Sequence, residues 1–153
     1  DSHGNALFEK EFPKGRAVIG GAHSAFVVSD NGTAVAVITG GKDPERENIL
    51  HVYQSSGVEI LTYPKKEGEG AYPDQIMQIS PNGRYLAVKV GFENELSKPV
   101  FFDLEKGSFW KADRMYVVKE IADEGVVKAS YRDQSDKKAV FTELNLKNLL
   151  GGE

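Results

Sequence analysis

The sequence predicts an all-β fold built from antiparallel, four-stranded, blade-like repeats that form an incomplete β-propeller, with a β-sandwich as the alternative. Three observations support this prediction. Short apolar runs rich in Val, Ile, Thr and aromatic residues alternate with Gly, Pro and Asn turns. A Ser-x-Asn-Gly turn recurs between such runs. No segment shows a sustained 3.6-residue apolar period, so no long helix is predicted.

The repeat is defined by a turn that occurs three times. Ser80-Pro81-Asn82-Gly83 and Ser29-Asp30-Asn31-Gly32 each precede an apolar run, and Ala122-Asp123-Glu124-Gly125 is a weaker third copy. Asn and Gly both tolerate positive φ, which favours a hairpin at each Asn-Gly pair. The three turn glycines lie 51 and 42 residues apart, a period typical of propeller blades and other repeat arrays.

A single domain spanning residues 1–153 is predicted, with repeats at about 16–63, 72–112 and 115–146. Residues 5–12 hold an extra strand at Ala6–Glu11, which is expected to complete the last repeat. The third repeat lacks a fourth strand of its own. The remaining predicted strands are 24–28, 33–39, 49–54, 58–63, 74–80, 85–90, 99–104, 108–112, 115–121, 126–132 and 139–146. Gly91–Lys98 is predicted to be a loop because Gly, Asn and charged residues cluster there.

The stretch Ser80–Ala87, read as Ser-Pro-Asn-Gly-Arg-Tyr-Leu-Ala, resembles the inner-strand hairpin of WD-type and TolB-like β-propeller repeats. The resemblance covers roughly residues 16 to 146. The Trp-Asp ending and the Gly-His signature of WD repeats are missing, which favours a degenerate bacterial type. The repeats amount to about three blades, whereas propellers close with about four to eight. Three blades leave open sheet edges, which predicts self-association or pairing with a protein partner.

Composition narrows the function classes. The net charge is −4 and the pI about 5.5, which argues against nucleic-acid binding and against docking on an anionic membrane. No apolar run reaches the ~18 residues that a membrane-spanning helix needs, so no membrane insertion is expected. The chain begins at Asp1 rather than Met, as in a mature form without its signal peptide or a piece of a longer chain. An extracytoplasmic, periplasmic location is favoured.

Four residues are candidate site residues. Tyr72, Phe92 and Trp110 are predicted partner-binding aromatics, because aromatic anchors are enriched in interface cores. His23 is predicted to be a polar residue facing a central channel, since it stands near the start of an inner strand. His51, between Leu50 and Val52, is predicted to be structural.

No catalytic residue, cofactor or metal site is predicted. The sequence has no Gly-x-Ser-x-Gly motif and no cysteine, and its carboxylates are scattered. The loop containing Asp43, Glu45 and Glu47 lacks the ligand spacing of a calcium site. Asp1-Ser2-His3 has the form of an amino-terminal copper or nickel motif only if Asp1 is the true terminus.

The sequence therefore predicts a non-enzymatic, β-propeller-like binding or assembly scaffold for protein–protein interaction. Two alternatives stay open. The chain could be an accessory propeller segment of a larger hydrolase or peptidase, as in the peptidase families that its repeats resemble. It could also be a lectin-like ligand-binding domain.

Overall fold

The computed structural model describes residues 3, 5–6, 8–13, 16–19, 25–41, 47–66 and 69–151. Within these ranges the chain forms twelve short strands and one helical turn. The elements are β1 (Ala17–Val18), β2 (Phe26–Val28), β3 (Ala34–Gly40), β4 (Ile49–Gln54), β5 (Glu59–Tyr63), β6 (Ala71–Ile79), β7 (Tyr85–Phe92), β8 (Glu95–Asp103), β9 (Ser108–Lys111), β10 (Val117–Ile121), β11 (Val126–Arg132), β12 (Ala139–Asn145) and α1 (Leu146–Leu149).

The strands form three antiparallel sheets in chain order. In sheet 1, β1 and β2 both pair with β3, which pairs with β4, and β4 pairs with β5. Sheet 2 has the order β6-β7-β8-β9, and sheet 3 has the order β10-β11-β12. The predicted all-β, antiparallel fold is confirmed. Such a set of open sheets is compatible with both architectures considered from the sequence, an incomplete propeller and a sandwich.

Sheet 2 lies between the other two sheets and packs an apolar cluster on each face. Because side chains alternate along a strand, Leu86 and Val88 point towards sheet 1, while Tyr85 and Ala87 point towards sheet 3. All four side chains are fully buried. Burying a side chain of the size of Leu or Val stabilises the fold by about 1.5–3 kcal/mol. The two clusters therefore hold the three sheets in a stack.

Three strands, one from each sheet, lie side by side along one edge of the stack. β6 contacts β2 and β3 of sheet 1 and β10 of sheet 3. The free edges of β2, β6 and β10 consequently face a common space, which is described below.

The three repeated turns are joined by hydrogen bonds into what we call the turn ladder (residues 29–33, 80–84 and 122–125). The backbone amide of Asn31 donates to the carbonyl of Pro81 at 3.1 Å. The side-chain amide of Asn31 donates to the carbonyl of Asn82, also at 3.1 Å. The backbone amide of Asn82 donates to the Asp123 carboxylate at 2.8 Å. Each turn thus contacts the turn of the next sheet.

Inside the first two turns the serine makes the same bond. The Ser29 hydroxyl accepts from the backbone amide of Ala34 at 3.1 Å, and the Ser80 hydroxyl accepts from that of Tyr85 at 3.0 Å. The third turn has Ala122 at this position and lacks the bond. The shared geometry explains why the first two copies are similar in sequence.

The hairpin turns predicted at both Asn-Gly pairs are confirmed, and in each pair only the glycine adopts positive φ. Gly32 and Gly83 have φ values of +72° and +74°, whereas Asn31 and Asn82 keep negative φ. The Ser29 amide bonds to the Ala34 carbonyl, so four residues rather than two separate the paired strand ends. The asparagine side chain caps the turn instead of entering the left-handed region.

The predicted loop at Gly91–Lys98 is wrong. β7 runs to Phe92 and β8 begins at Glu95, so that only Glu93 and Asn94 form the turn. Asn94 has a φ of 61°, which Asn tolerates better than most residues. Charged side chains continue the hairpin, since Glu95 pairs with Lys111 of β9 at 2.6 Å.

The strand expected at Ala6–Glu11 is not formed in the described part of that segment. Residues 8–13 contain no strand. They lie against sheet 1 through aromatic contacts instead of completing the last sheet, because Phe8 packs on Tyr53 and Phe12 on His51.

Candidate functional site

The outward face of sheet 1 is the face that points away from sheet 2. Along β3, Ala34, Ala36 and Ile38 belong to the core that sheet 1 shares with sheet 2. The alternate residues, Val35 and Val37, point the other way and line an apolar groove of about 420 Å³. Val35 is half-buried and Val37 is buried, so the solvent-exposed apolar side chains of this groove lie on the strands beside β3.

The neighbouring strands add exposed apolar side chains to this groove. Phe26 and Val28 of β2 are 56% and 44% exposed, and Val18 of β1 is 44% exposed. Phe8 and Tyr53 line the groove on the β4 side. Contiguous exposed apolar surface of this kind usually marks an interaction site.

Aromatic contacts hold residues 8–12 over the β4 side of the face. The ring of Phe8 lies 5.9 Å from that of Tyr53, and the ring of Phe12 lies 5.5 Å from that of His51. The Lys10 ammonium stands 5.7 Å from the centre of the Tyr53 ring. This segment covers part of the outward face, and the exposed apolar side chains among the described residues of this face lie on β1 and β2.

Polar groups beside the groove are held by one another. The Glu59 carboxylate contacts both the His51 ring, at 2.7 Å, and the Thr62 hydroxyl, at 2.7 Å. Burial opposes ionisation of Glu59, but the hydrogen bonds from Thr62 and His51 outweigh it and hold the pKa below its usual value. Burial, and secondly the Glu59 charge, raises the pKa of Tyr53 to about 12. The Tyr53 hydroxyl therefore stays neutral at physiological pH.

A second concavity of about 700 Å³ lies where the free edges of β2, β6 and β10 meet. Its acidic lining residues are Asp30, Glu120, Asp123 and Glu124. Two of them already have partners, because Asp123 accepts from the Asn82 amide and Glu120 lies 3.5 Å from Lys128. The lining of the cleft is therefore acidic, but the carboxylates of Asp123 and Glu120 already make contacts within the fold.

The outward face of sheet 3 has a different character. Its side chains include Lys119, Lys128 and Glu143, which line a shallow surface together with Phe141. Phe141 is 77% exposed. This face is charged apart from a few apolar residues, in contrast to the outward face of sheet 1.

The three predicted partner-binding aromatics do not form one surface. Phe92 packs against the core between sheets 1 and 2, whereas Trp110 packs against the core between sheets 2 and 3. Trp110 stacks on Phe101 with 5.7 Å between ring centres, and the Lys111 ammonium lies 4.0 Å above the Phe92 ring. The Tyr72 hydroxyl donates to Glu93 at 2.8 Å.

Several predicted residues lie outside the described part of the chain. His23, Asp43 and Glu45 are among them, as are Asp1 and Ser2 of the amino-terminal motif. Among the described residues, no group of three or more His, Asp or Glu side chains is placed to hold a metal ion.

The exposed apolar residues of sheet 1 were not among the predicted site residues, because the predicted candidates were aromatic residues. Phe26 and Val28 occupy alternate positions of a strand, so both point to the same side. This alternation was visible in the sequence. The sequence does not show which face of sheet 1 has no other sheet packed against it in the described structure.

The fold is thus a stack of three antiparallel sheets, in which the outward face of sheet 1 is mainly apolar and that of sheet 3 mainly charged. No family model, curated protein or solved structure matches the chain. No helix in the described ranges is long and apolar enough to cross a membrane.

Proposed function

We propose that this chain is a non-enzymatic, β-propeller-like assembly module that acts in protein–protein interaction by associating with a second copy. The observation that carries the proposal is the exposed apolar surface at Val18, Phe26 and Val28, on a sheet whose other face packs in the core shared with sheet 2. Large exposed apolar surface costs free energy in water, and a protein partner that covers it gains that free energy.

The propeller-like part of the proposal is supported by the order of the strands. Sheets 2 and 3 are meanders of consecutive antiparallel strands, as are β2 to β5 of sheet 1, and β2, β6 and β10 lie side by side along one edge. Propeller blades have this meander order around a central channel. The acidic cleft between β2, β6 and β10 occupies the position that such a channel would have.

The test is the solution mass of the chain, measured by light scattering from about 5 to 500 μM, around the micromolar range where weak complexes form. We expect the mass to rise from that of a monomer towards twice that value. A mass that stays at 16.8 kDa over the whole range would overturn the proposed self-assembly. A hydrophobic-surface dye added in parallel and in excess should give fluorescence per protein molecule that falls as the protein concentration rises.

A further inference from the structure

We infer that the contact between copies is the outward face of sheet 1, placed against the same face of a second copy about a two-fold axis. This inference rests on the proposed function, because it names the surface and the symmetry of that assembly.

The outward face of sheet 1 is the positional equivalent of a face that is buried elsewhere in this molecule. Residues 51 positions later in the chain occupy the face of sheet 2 that packs on sheet 1. Val35 corresponds to Leu86 and Val37 to Val88, and both of these sheet 2 residues are fully buried. Val28 corresponds in the same way to Ile79, which also packs in that core. The outward face of sheet 1 thus has the composition of a face that another sheet covers.

The outward face of sheet 3 has charged residues at positions where the equivalent face of sheet 2 has buried apolar residues. On sheet 2, the cross-strand partners Ala87 and Phe101 face sheet 3 and are fully buried. The turn of sheet 2 is closed by a hydrogen bond to the carbonyl of Tyr85, and the turn of sheet 3 by one to the carbonyl of Val126. Two residues further on, Ala87 of sheet 2 therefore corresponds to Lys128 of sheet 3, whose cross-strand partner is Glu143. Charged residues replace apolar ones at positions where a further sheet would pack. End repeats of stacked arrays have such polar outer faces.

The difference between the two ends selects the symmetry of the assembly. A head-to-tail contact would press the apolar face of sheet 1 onto the charged face of sheet 3 and strip water from Lys128 and Glu143. It would also leave an unpaired apolar face on every growing chain of copies. Contact between two sheet 1 faces covers both apolar surfaces at once and closes after two copies, as two-fold dimers do.

The size of the face sets the strength of the contact. β3 has 7 residues and is therefore about 23 Å long, and the two strand rows that residues 8–12 leave uncovered are about 10 Å wide, which gives a planar footprint of roughly 230 Å². Two such faces bury about 460 Å², well below the ~1,200 Å² at which stable interfaces begin. The dimer is consequently a weak one, with a dissociation constant in the micromolar range or above.

The experiment compares two matched variants by sedimentation and light scattering over the same concentrations. Phe26→Asp puts a charge on the sheet 1 face, and Phe141→Asp makes the same change on the sheet 3 face. Both phenylalanines are more than half exposed, at 56% and 77%. Val28→Lys is a second sheet 1 variant of opposite charge, and the thermal unfolding of each variant is compared with that of the unaltered chain to exclude misfolding.

We expect Phe26→Asp and Val28→Lys to weaken dimerisation at least ten-fold, while Phe141→Asp leaves it within two-fold of the unaltered chain. Dissociation by Phe141→Asp alone would overturn the sheet 1 interface and leave the assembly function standing. Open-ended growth into larger species would overturn the two-fold symmetry. A monomeric unaltered chain would instead refute the proposed function itself.

Discussion

Gly32 and Gly83 allow one step of the turn ladder to be measured by a matched pair of substitutions. Both glycines follow an asparagine in the same repeated turn, and their φ values, +72° and +74°, are nearly identical. Their surroundings differ. A Cβ added at Gly32 would meet nothing within 4 Å, whereas one added at Gly83 would lie 2.7 Å from the Thr33 hydroxyl and 3.0 Å from the Ser29 hydroxyl.

The cost of Gly32→Ala is that of the backbone conformation alone. Placing a non-glycine residue in the left-handed region costs about 1–2 kcal/mol. Alanine also restricts the unfolded chain, which returns about 0.4–1 kcal/mol. We therefore expect Gly32→Ala to lower the free energy of unfolding by about 1 kcal/mol.

Gly83→Ala adds the displacement of Thr33 to the same backbone cost. The single proton of the Thr33 hydroxyl is shared between the Asn31 side-chain oxygen at 2.7 Å and the Asn82 carbonyl at 3.1 Å, and the contact with Asn82 between sheets 1 and 2 is lost if Thr33 moves. A hydrogen bond of this kind contributes about 0.5–1.5 kcal/mol. The expected loss for Gly83→Ala is about 1.5–2.5 kcal/mol, which exceeds that of Gly32→Ala by about 0.5–1.5 kcal/mol.

Urea unfolding at constant pH measures both losses, with tryptophan fluorescence and far-ultraviolet circular dichroism as independent probes. Thr33→Ala in the Gly83→Ala background should recover part of the difference, because it removes the atom nearest to the new methyl group. Equal losses for the two glycine variants would refute the contact between the turns. A double variant that shows simple additivity would refute the role assigned to Thr33.

Two further predictions concern buried polar groups. Asp103 accepts two hydrogen bonds from Arg84, at 3.0 and 3.2 Å, and its side chain is 4% exposed. Burial alone would raise the pKa of Asp103, but the bonds from Arg84 and from the backbone amide of Lys106 outweigh it and lower the pKa. The stabilisation that ionised Asp103 contributes is therefore fully present above the unfolded-state pKa of about 3.9, and it is lost as the pH falls through the lower pKa of the folded state. Asp103→Asn should cost about 1.5–3 kcal/mol at pH 7 and flatten the acid limb of the stability profile below about pH 4, and an unchanged acid limb would count against it. Tyr85 buries a hydroxyl that has no hydrogen-bond partner in the described structure, so Tyr85→Phe should unfold at the same or higher urea concentration, and a clear loss would show that the hydroxyl is satisfied.

The elements predicted best are those specified by local sequence. The turns at Asn31-Gly32 and Asn82-Gly83 depend on residues that are adjacent in the chain, and they were placed correctly. The Glu93-Asn94 turn was missed because polar residues after Gly91 indicate a loop when charge alone is considered. In the folded chain those residues form a solvated hairpin whose charges are paired across strands.

The candidate site was predicted less well because it depends on which sheets are neighbours. Phe92 and Trp110 lie in adjacent hairpins of one sheet, yet they point to opposite faces, and the sequence does not specify which face each strand presents. Phe8 and Phe12 have strand-like spacing, but they contact sheet 1 through their rings and not through backbone pairing. The exposure of Phe26 follows only from the absence of a packed sheet on that side within the described structure.

The turn ladder also determines where heat and age would damage this protein chemically. Asn-Gly pairs are the sequences most prone to deamidation, and asparagine is a thermolabile residue in general. In the folded chain the Gly83 amide is engaged by the Ser80 carbonyl at 2.9 Å, and the Asn82 side chain is held by the Ser80 hydroxyl at 2.8 Å. Conversion of Asn82 to aspartate would place a new negative charge next to the Asp123 carboxylate that its own backbone amide binds. Deamidation of Asn82, which changes the mass by about one unit, would therefore weaken the contact between sheets 2 and 3 first. Each deamidated molecule would then unfold more easily, and Asn31 would deamidate more readily in turn.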